Sequence, residues 1–83
     1  MFVTNRCLFQ GAEPNGWMQC EKVPAGSGQW AFKVLNTYAS ARADGSVTLV
    51  SAIGPNETFN YQEGATTAST VIGEGPRIIG VSL

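Results

Sequence analysis

Histidine is absent from the 83-residue chain, and aspartate occurs once, at Asp44. Without an imidazole there is no Ser-His-Asp or Cys-His constellation, no usual neutral-pH base and none of the commonest metal ligand. Charge is scarce as well: 13 % of residues are charged, against about 25 % in ordinary soluble domains. The basic residues Arg6, Lys22, Lys33, Arg42 and Arg77 are scattered, so no basic stripe is offered to a phosphate backbone. Cys7 and Cys20 are too few for a secreted disulfide scaffold or a four-ligand zinc site. No apolar run approaches the roughly 20 residues of a membrane-spanning helix. Met1 to Arg6 lacks a basic region, apolar core and cleavage site in series. These absences lead to the expectation of cytoplasmic synthesis without a signal peptide, no nucleic-acid or membrane partner, and no metal or cofactor.

What is present is Gly, Ser, Thr, Ala and Asn between short apolar alternations, the composition of twisted β-sheet with tight turns. Residues 1–83 read as a single domain, of a size that buries little more than about 60 % of the surface its unfolded chain exposes. The most legible stretch is Gln29 to Ile53, which reads as a long hairpin around Ala43-Asp44-Gly45. A type I turn closed by Gly45 as a bulge sets Ala41 opposite Val47, Ala39 opposite Leu49 and Leu35 opposite Ile53 on one buried face. A two-residue turn would instead pair Arg42 with Val47 and Ser40 with Leu49, mixing polar and apolar on that face. Trp30, Phe32 and Val34 alternate out of phase with Leu35, Ala39 and Ala41, which predicts a bulge or bend near Val34 to Asn36. A helix from Phe32 to Ala43 fits the same apolar positions, but Val34, Thr37 and Tyr38 favour the pleated form and no N-cap precedes the run.

Upstream, Phe2 to Phe9 and Trp17 to Val23 are expected strands joined through a Pro14-Asn15-Gly16 turn. A symmetric loop sets Cys7 against Cys20 and Phe9 against Met18. The two cysteines are expected to be buried and reduced, since cytoplasmic thiols are normally kept so. Pro24 to Gly28 reads as a flexible connector; it lacks the Gly-Lys-Ser/Thr ending of a phosphate loop. Downstream, Thr58 to Gln62 places Phe59 and Tyr61 on one face, Thr66 to Ile72 is a further strand, and Arg77 to Leu83 closes the chain. Asn56-Glu57-Thr58 matches a glycosylation acceptor and is read as a polar turn, because no secretion signal is visible. Strands without a convincing helix give an all-β fold, a small antiparallel sandwich or partly open barrel of six to seven short strands.

Chemistry has few places to reside. A carboxylate pair would have to come from Glu13, Glu21, Glu57, Glu63 and Glu74, and nothing in their spacing makes them converge. No catalytic residue is therefore assigned, and an enzyme is not expected. The expected function is a non-enzymatic structural or assembly module that docks on other protein subunits as a homo-oligomer or larger array. Small proteins that decorate or cement capsids share this profile at the level of class, without a shared motif, which would place the chain in a virion. The subunit contact is expected at Ile79, Val81 and Leu83, because an apolar terminal strand is either tied into its own sheet or added to a neighbour's. The alternative is a carbohydrate or small polar ligand stacked on an exposed aromatic platform, for which Trp17 and Tyr38 are the candidates.

Overall fold

The computed structural model describes residues 6–11 and 16–83. The expected strand positions before Arg6 and the Pro14-Asn15 half of the first turn lie outside the described residues, as does Glu13. Eight strands form one antiparallel sheet: β1 Arg6–Gln10, β2 Trp17–Gly26, β3 Gln29–Val34, β4 Thr37–Ala41, β5 Val47–Val50, β6 Asn60–Tyr61, β7 Thr67–Ile72 and β8 Gly75–Ser82. One 3-10 turn, Pro55–Glu57, precedes β6. The all-β expectation holds, with more strands than the six or seven counted in the sequence.

The spatial order is β5-β4-β3-β2-β1-β8-β7-β6. Most neighbours are joined by tight turns, and the final strand returns to pair with the first, Phe9 facing Val81. The sheet curls without closing. Its nearest approach to closure is one bridge, where Phe59, just before β6, exchanges two backbone hydrogen bonds with Trp30 of β3. The same edge of β3 pairs with β4 only at Lys33 and Val34, so β4 leaves it early and vacates the edge that Phe59 uses. The β4–β5 hairpin then leans toward β8, where Arg77 Nη2 donates to the Ala43 carbonyl oxygen at 2.6 Å.

Inside the curl lies a small aromatic core. Phe9, Phe32, Phe59 and Val81 are its largest fully buried side chains. Phe32 meets Phe59 with ring centroids 5.4 Å apart and Tyr61 edge-on at 6.0 Å, both within the range favoured by aromatic quadrupoles. Phe59 and Tyr61 thus share the buried face that their spacing predicts.

Several local expectations hold and others are corrected. The β4–β5 register is the one predicted, Ala41 facing Val47, Ser40 facing Thr48 and Ala39 facing Leu49. Its loop is a turn closed by the Gly45 N–H donating to the Arg42 carbonyl, with Gly45 at φ 94°. Asp44 locks the turn by accepting from the backbone and hydroxyl of Ser46, which holds its carboxyl below the usual carboxylate range. The pairing ends at Tyr38 and Val50, however, so Leu35 never reaches Ile53. The predicted bend is a full reversal: Val34 faces Thr37 across a two-residue turn, with Leu35 in the left-handed region at φ 57° and 88 % exposed. Pro24 to Gly28 is no flexible connector either. β2 runs on to Gly26, and Ser27 and Gly28, both at positive φ, make a two-residue hairpin turn into β3.

Cys7 faces Cys20 as the symmetric loop predicts, with Cα atoms 5.0 Å apart, and both are buried. They are bridged rather than reduced. Direct opposition on neighbouring strands supplies the Cα separation that a disulfide needs, so register alone makes the bond available.

Candidate protein-docking face

Alternation along each strand and direct opposition between strands fix which side chains look outward. The outer surface divides into two regions. One row crosses five strands in register as Arg6, Glu21, Lys33, Tyr38 and Val50. Its charges alternate in sign, the pattern of a solvated sheet face in which neighbouring charges attract weakly.

The second region lies over β7, β8 and the adjoining ends of β1 and β2. Here the outward residues are Thr67, Ser69 and Val71 on β7, Pro76, Ile78 and Gly80 on β8, then Leu8 and Gln10, then Trp17 and Gln19. None is charged. Large apolar side chains stand in the open: Ile78 is 70 % exposed, Val71 63 % and Trp17 51 %. Small residues lie between them. Gly80 is such a gap, and the Trp17 ring leans across β1 to fill it: a Cβ on Gly80 would stand 3.3 Å from Trp17 Cη2. At one margin Arg6, Leu8, Gln19 and Leu83 line an open hollow of about 240 Å³ beside the disulfide.

The expected contact residues separate. Ile79 and Val81 point into the chain's own core, 5 % and 0 % exposed, because β8 is paired by β1 on one side and β7 on the other. Leu83 alone of the three is at the surface, 56 % exposed and past the end of β8. Their outward neighbour Ile78 is the residue that sequence reasoning passed over. Alternation around Ile79 was the available signal, since burying one parity of a strand exposes the other. Trp17 is exposed as predicted and Tyr38 is half-buried. Both lie on the outer face, separated along β2 from Trp17 to Glu21 and across to β4 by roughly 16 Å, too far apart to hold one small ligand between them.

Two buried charged groups were also unanticipated. Lys22 is 4 % exposed, its ammonium 4.5 Å from the Trp30 ring centroid, 4.7 Å from that of Tyr61 and 3.4 Å from Glu63 Oε1. The inward parity of Met18 and Cys20 on β2 extends to Lys22 and could have placed it. Burial is the main cause that pushes the Tyr61 phenol above its usual value, with the Glu63 charge adding, so the hydroxyl stays protonated and donates to the Ala65 carbonyl. Glu57 is buried too, its carboxylate accepting from Ser40 Oγ and from the Gly54 backbone at 2.6 Å. That pair ties the 3-10 turn to β4. Glu57 and Glu63 therefore engage different elements, Glu57 the 3-10 turn and β4 and Glu63 the Lys22 ammonium. Among the described residues no group of three His, Cys, Asp or Glu side chains is arranged to hold a metal, and no helix is long and apolar enough to cross a membrane.

Compared with known proteins, the chain matches no family model, no curated protein and no solved structure.

Proposed function

We propose that the chain is a non-enzymatic structural module that docks on other protein subunits through the uncharged outer face of β7, β8, β1 and β2. The observation that carries this is the exposure of Ile78, Val71 and Trp17 together on a face whose described outward residues carry no charge. Scattered exposed apolar residues are ordinary, whereas a contiguous group with no charged neighbour marks an interaction surface. Its broad, strand-borne extent suits another protein surface, since small-molecule sites are usually enclosed and concave. A component that decorates or cements a capsid is a setting such a module fits. The bridged Cys7–Cys20 pair accords with exposure on a particle or another oxidising location, where disulfides persist.

The runner-up function is recognition of a sugar or other small polar ligand on Trp17. What favours it is the half-exposed indole resting on Gly80, with the Gln10 amide beside that glycine.

The two differ in what they leave at the face. With the photoreactive residue benzoylphenylalanine in place of Ile78, irradiation in the cells or particles that make the chain should yield a protein adduct. No protein adduct, together with glycan-array binding that Trp17→Ala abolishes, would replace the docking function with the ligand-binding one.

A further inference from the structure

The described outward residues of the face end on charged ones. Glu74, in the turn before β8, is exposed at one end, and at the other Arg6, on β1, is exposed beside its cross-strand partner Glu21. Leu8 faces Ser82, so Arg6 stands two residues beyond Ser82 in the register of β8. Midway between Arg6 and Glu74 in that register lies Ile79. A two-fold axis crossing the strands there turns the chain end for end over itself. It brings Arg6 of each copy to the level of Glu74 on the other, one strand to the side, within reach of two long side chains. The same operation exchanges the levels of Ile78 and Gly80, and Gly80 is where the Trp17 ring lies. Charge and shape are thus matched by one axis, although neither was used to place the other.

We infer that this face pairs with a second copy of the chain about that axis, Ile78 of each copy lying on the other copy's Trp17 and each Arg6 standing over the other's Glu74. The inference rests on the docking function proposed above and names the partner. A charged partner would leave its own charges unmatched against the face, whereas a second copy brings none to the middle and complementary ones to the ends. The contact is isologous, as closed dimers are. Its projected footprint, some three strands wide and seven residues long, is about 350 Å² per copy. That is below the roughly 800 Å² per partner of a standard interface, so the pairing is weak on its own and concentration-dependent.

Analytical ultracentrifugation of the purified full chain from about 10 µM to about 1 mM tests this. The weight-average mass should rise from that of a monomer toward that of a dimer. Ile78→Lys, at a position already exposed, should leave the circular dichroism spectrum and unfolding midpoint unchanged while weakening association at least about tenfold. Arg6→Glu sets Glu against Glu74 twice and should weaken it by about three- to tenfold, and the double variant Arg6→Glu with Glu74→Arg should recover it. That recovery belongs to the proposed axis, since damage to folding would accumulate instead. A wild type monomeric throughout the range, a dimer indifferent to Ile78→Lys, or a charge swap without recovery would overturn the inference. If the chain is monomeric yet the Ile78 photoadduct contains a different protein, docking survives and self-pairing does not; absence of any protein adduct removes both.

Discussion

Two seams hold the curled sheet together, and they are built differently. Between β1 and β2 five residue pairs run in register and a disulfide crosses the middle of the inner face. Between β3 and the approach to β6 there is one residue pair, Trp30 with Phe59. Side chains complete what the ladder there leaves out: Phe59 and Tyr61 pack on Phe32, Lys22 inserts between Trp30 and Tyr61, and Gln29 Nε2 donates to Asn60 Oδ1 at 3.2 Å. Where backbone pairing is continuous, covalent and main-chain bonds set the geometry. Where it is interrupted, aromatic packing around a buried cation does so, and the geometry depends on a few side chains.

The contrast is broken most severely at the aromatic seam. Phe59→Ala should cost about 3 to 5 kcal/mol, as deletion of a fully buried phenylalanine does. A domain of this size has about 4 to 12 kcal/mol in total, so chemical denaturation should find the variant unfolded or nearly so. At the covalent seam, replacing both Cys7 and Cys20 by Ala should cost about 3 kcal/mol, the loop-closure value for a span this short. Reductant should lower the wild-type midpoint to a similar extent and leave that of the variant unchanged. The intact mass purified without added oxidant should be lower than the reduced mass by two hydrogens. A larger loss at the cysteines than at Phe59 would invert the ranking of the two seams.

Lys22 gives the intermediate effect. Methionine keeps the buried stem opposite Phe32 of β3 while removing the ammonium from both rings. Cation–π pairs with desolvated lysine contribute about 1 to 2 kcal/mol, and the contact to Glu63 adds little because that carboxylate is 84 % exposed. Lys22→Met should therefore cost about 1 kcal/mol, partly offset by removing a charge from the interior. Glu63→Gln should be nearly silent in the same urea titration. Equal losses at Lys22 and Glu63 would show that the ion pair, rather than the aromatic box, holds the seam.

How much of this was legible follows from the range over which each feature is decided. The β4–β5 register is local: Asp44 and Gly45 specify the loop, and the loop specifies every pair beyond it. The β3–β4 reversal is equally local but was read only as a bulge or bend, because Leu35 occupies a left-handed conformation that glycine or asparagine normally takes. Only Asn36 beside it carried turn chemistry. The disulfide pairing was readable from loop symmetry, while the redox state was not, since Cys7 and Cys20 look the same either way in sequence. Lys22 was readable by parity, but its partners come from β3 and β6, and nothing local announces that Trp30 and Tyr61 converge on it. The candidate docking face was half legible. Alternation in β8 marked a buried parity, whereas the 70 % exposure of Ile78 on the opposite parity is decided by how the described elements pack around the sheet.

The smallest effects test the free edge beyond both seams, on β5. Sequence alone puts Leu49 on a buried face with Ala39 and would give Leu49→Ala the full cost of a packed leucine, about 2 to 5 kcal/mol. Ala39 is indeed fully buried, but Leu49 opposite it is 40 % exposed, because β5 is an edge strand among the described strands. The expected loss therefore falls to about 1 kcal/mol, the transfer value for a side chain that leaves no closed cavity. Thr48 is the sharper probe. Its Oγ1 is buried without a hydrogen-bond partner among the described residues, and an unsatisfied buried hydroxyl carries a desolvation penalty of about 1 kcal/mol or more. Thr48→Val removes that group while keeping the β-branched shape, and should raise the urea midpoint slightly. A loss at Thr48→Val as large as at Leu49→Ala would mean that the hydroxyl is satisfied across the β5 edge, and would make that edge a second surface engaged in assembly.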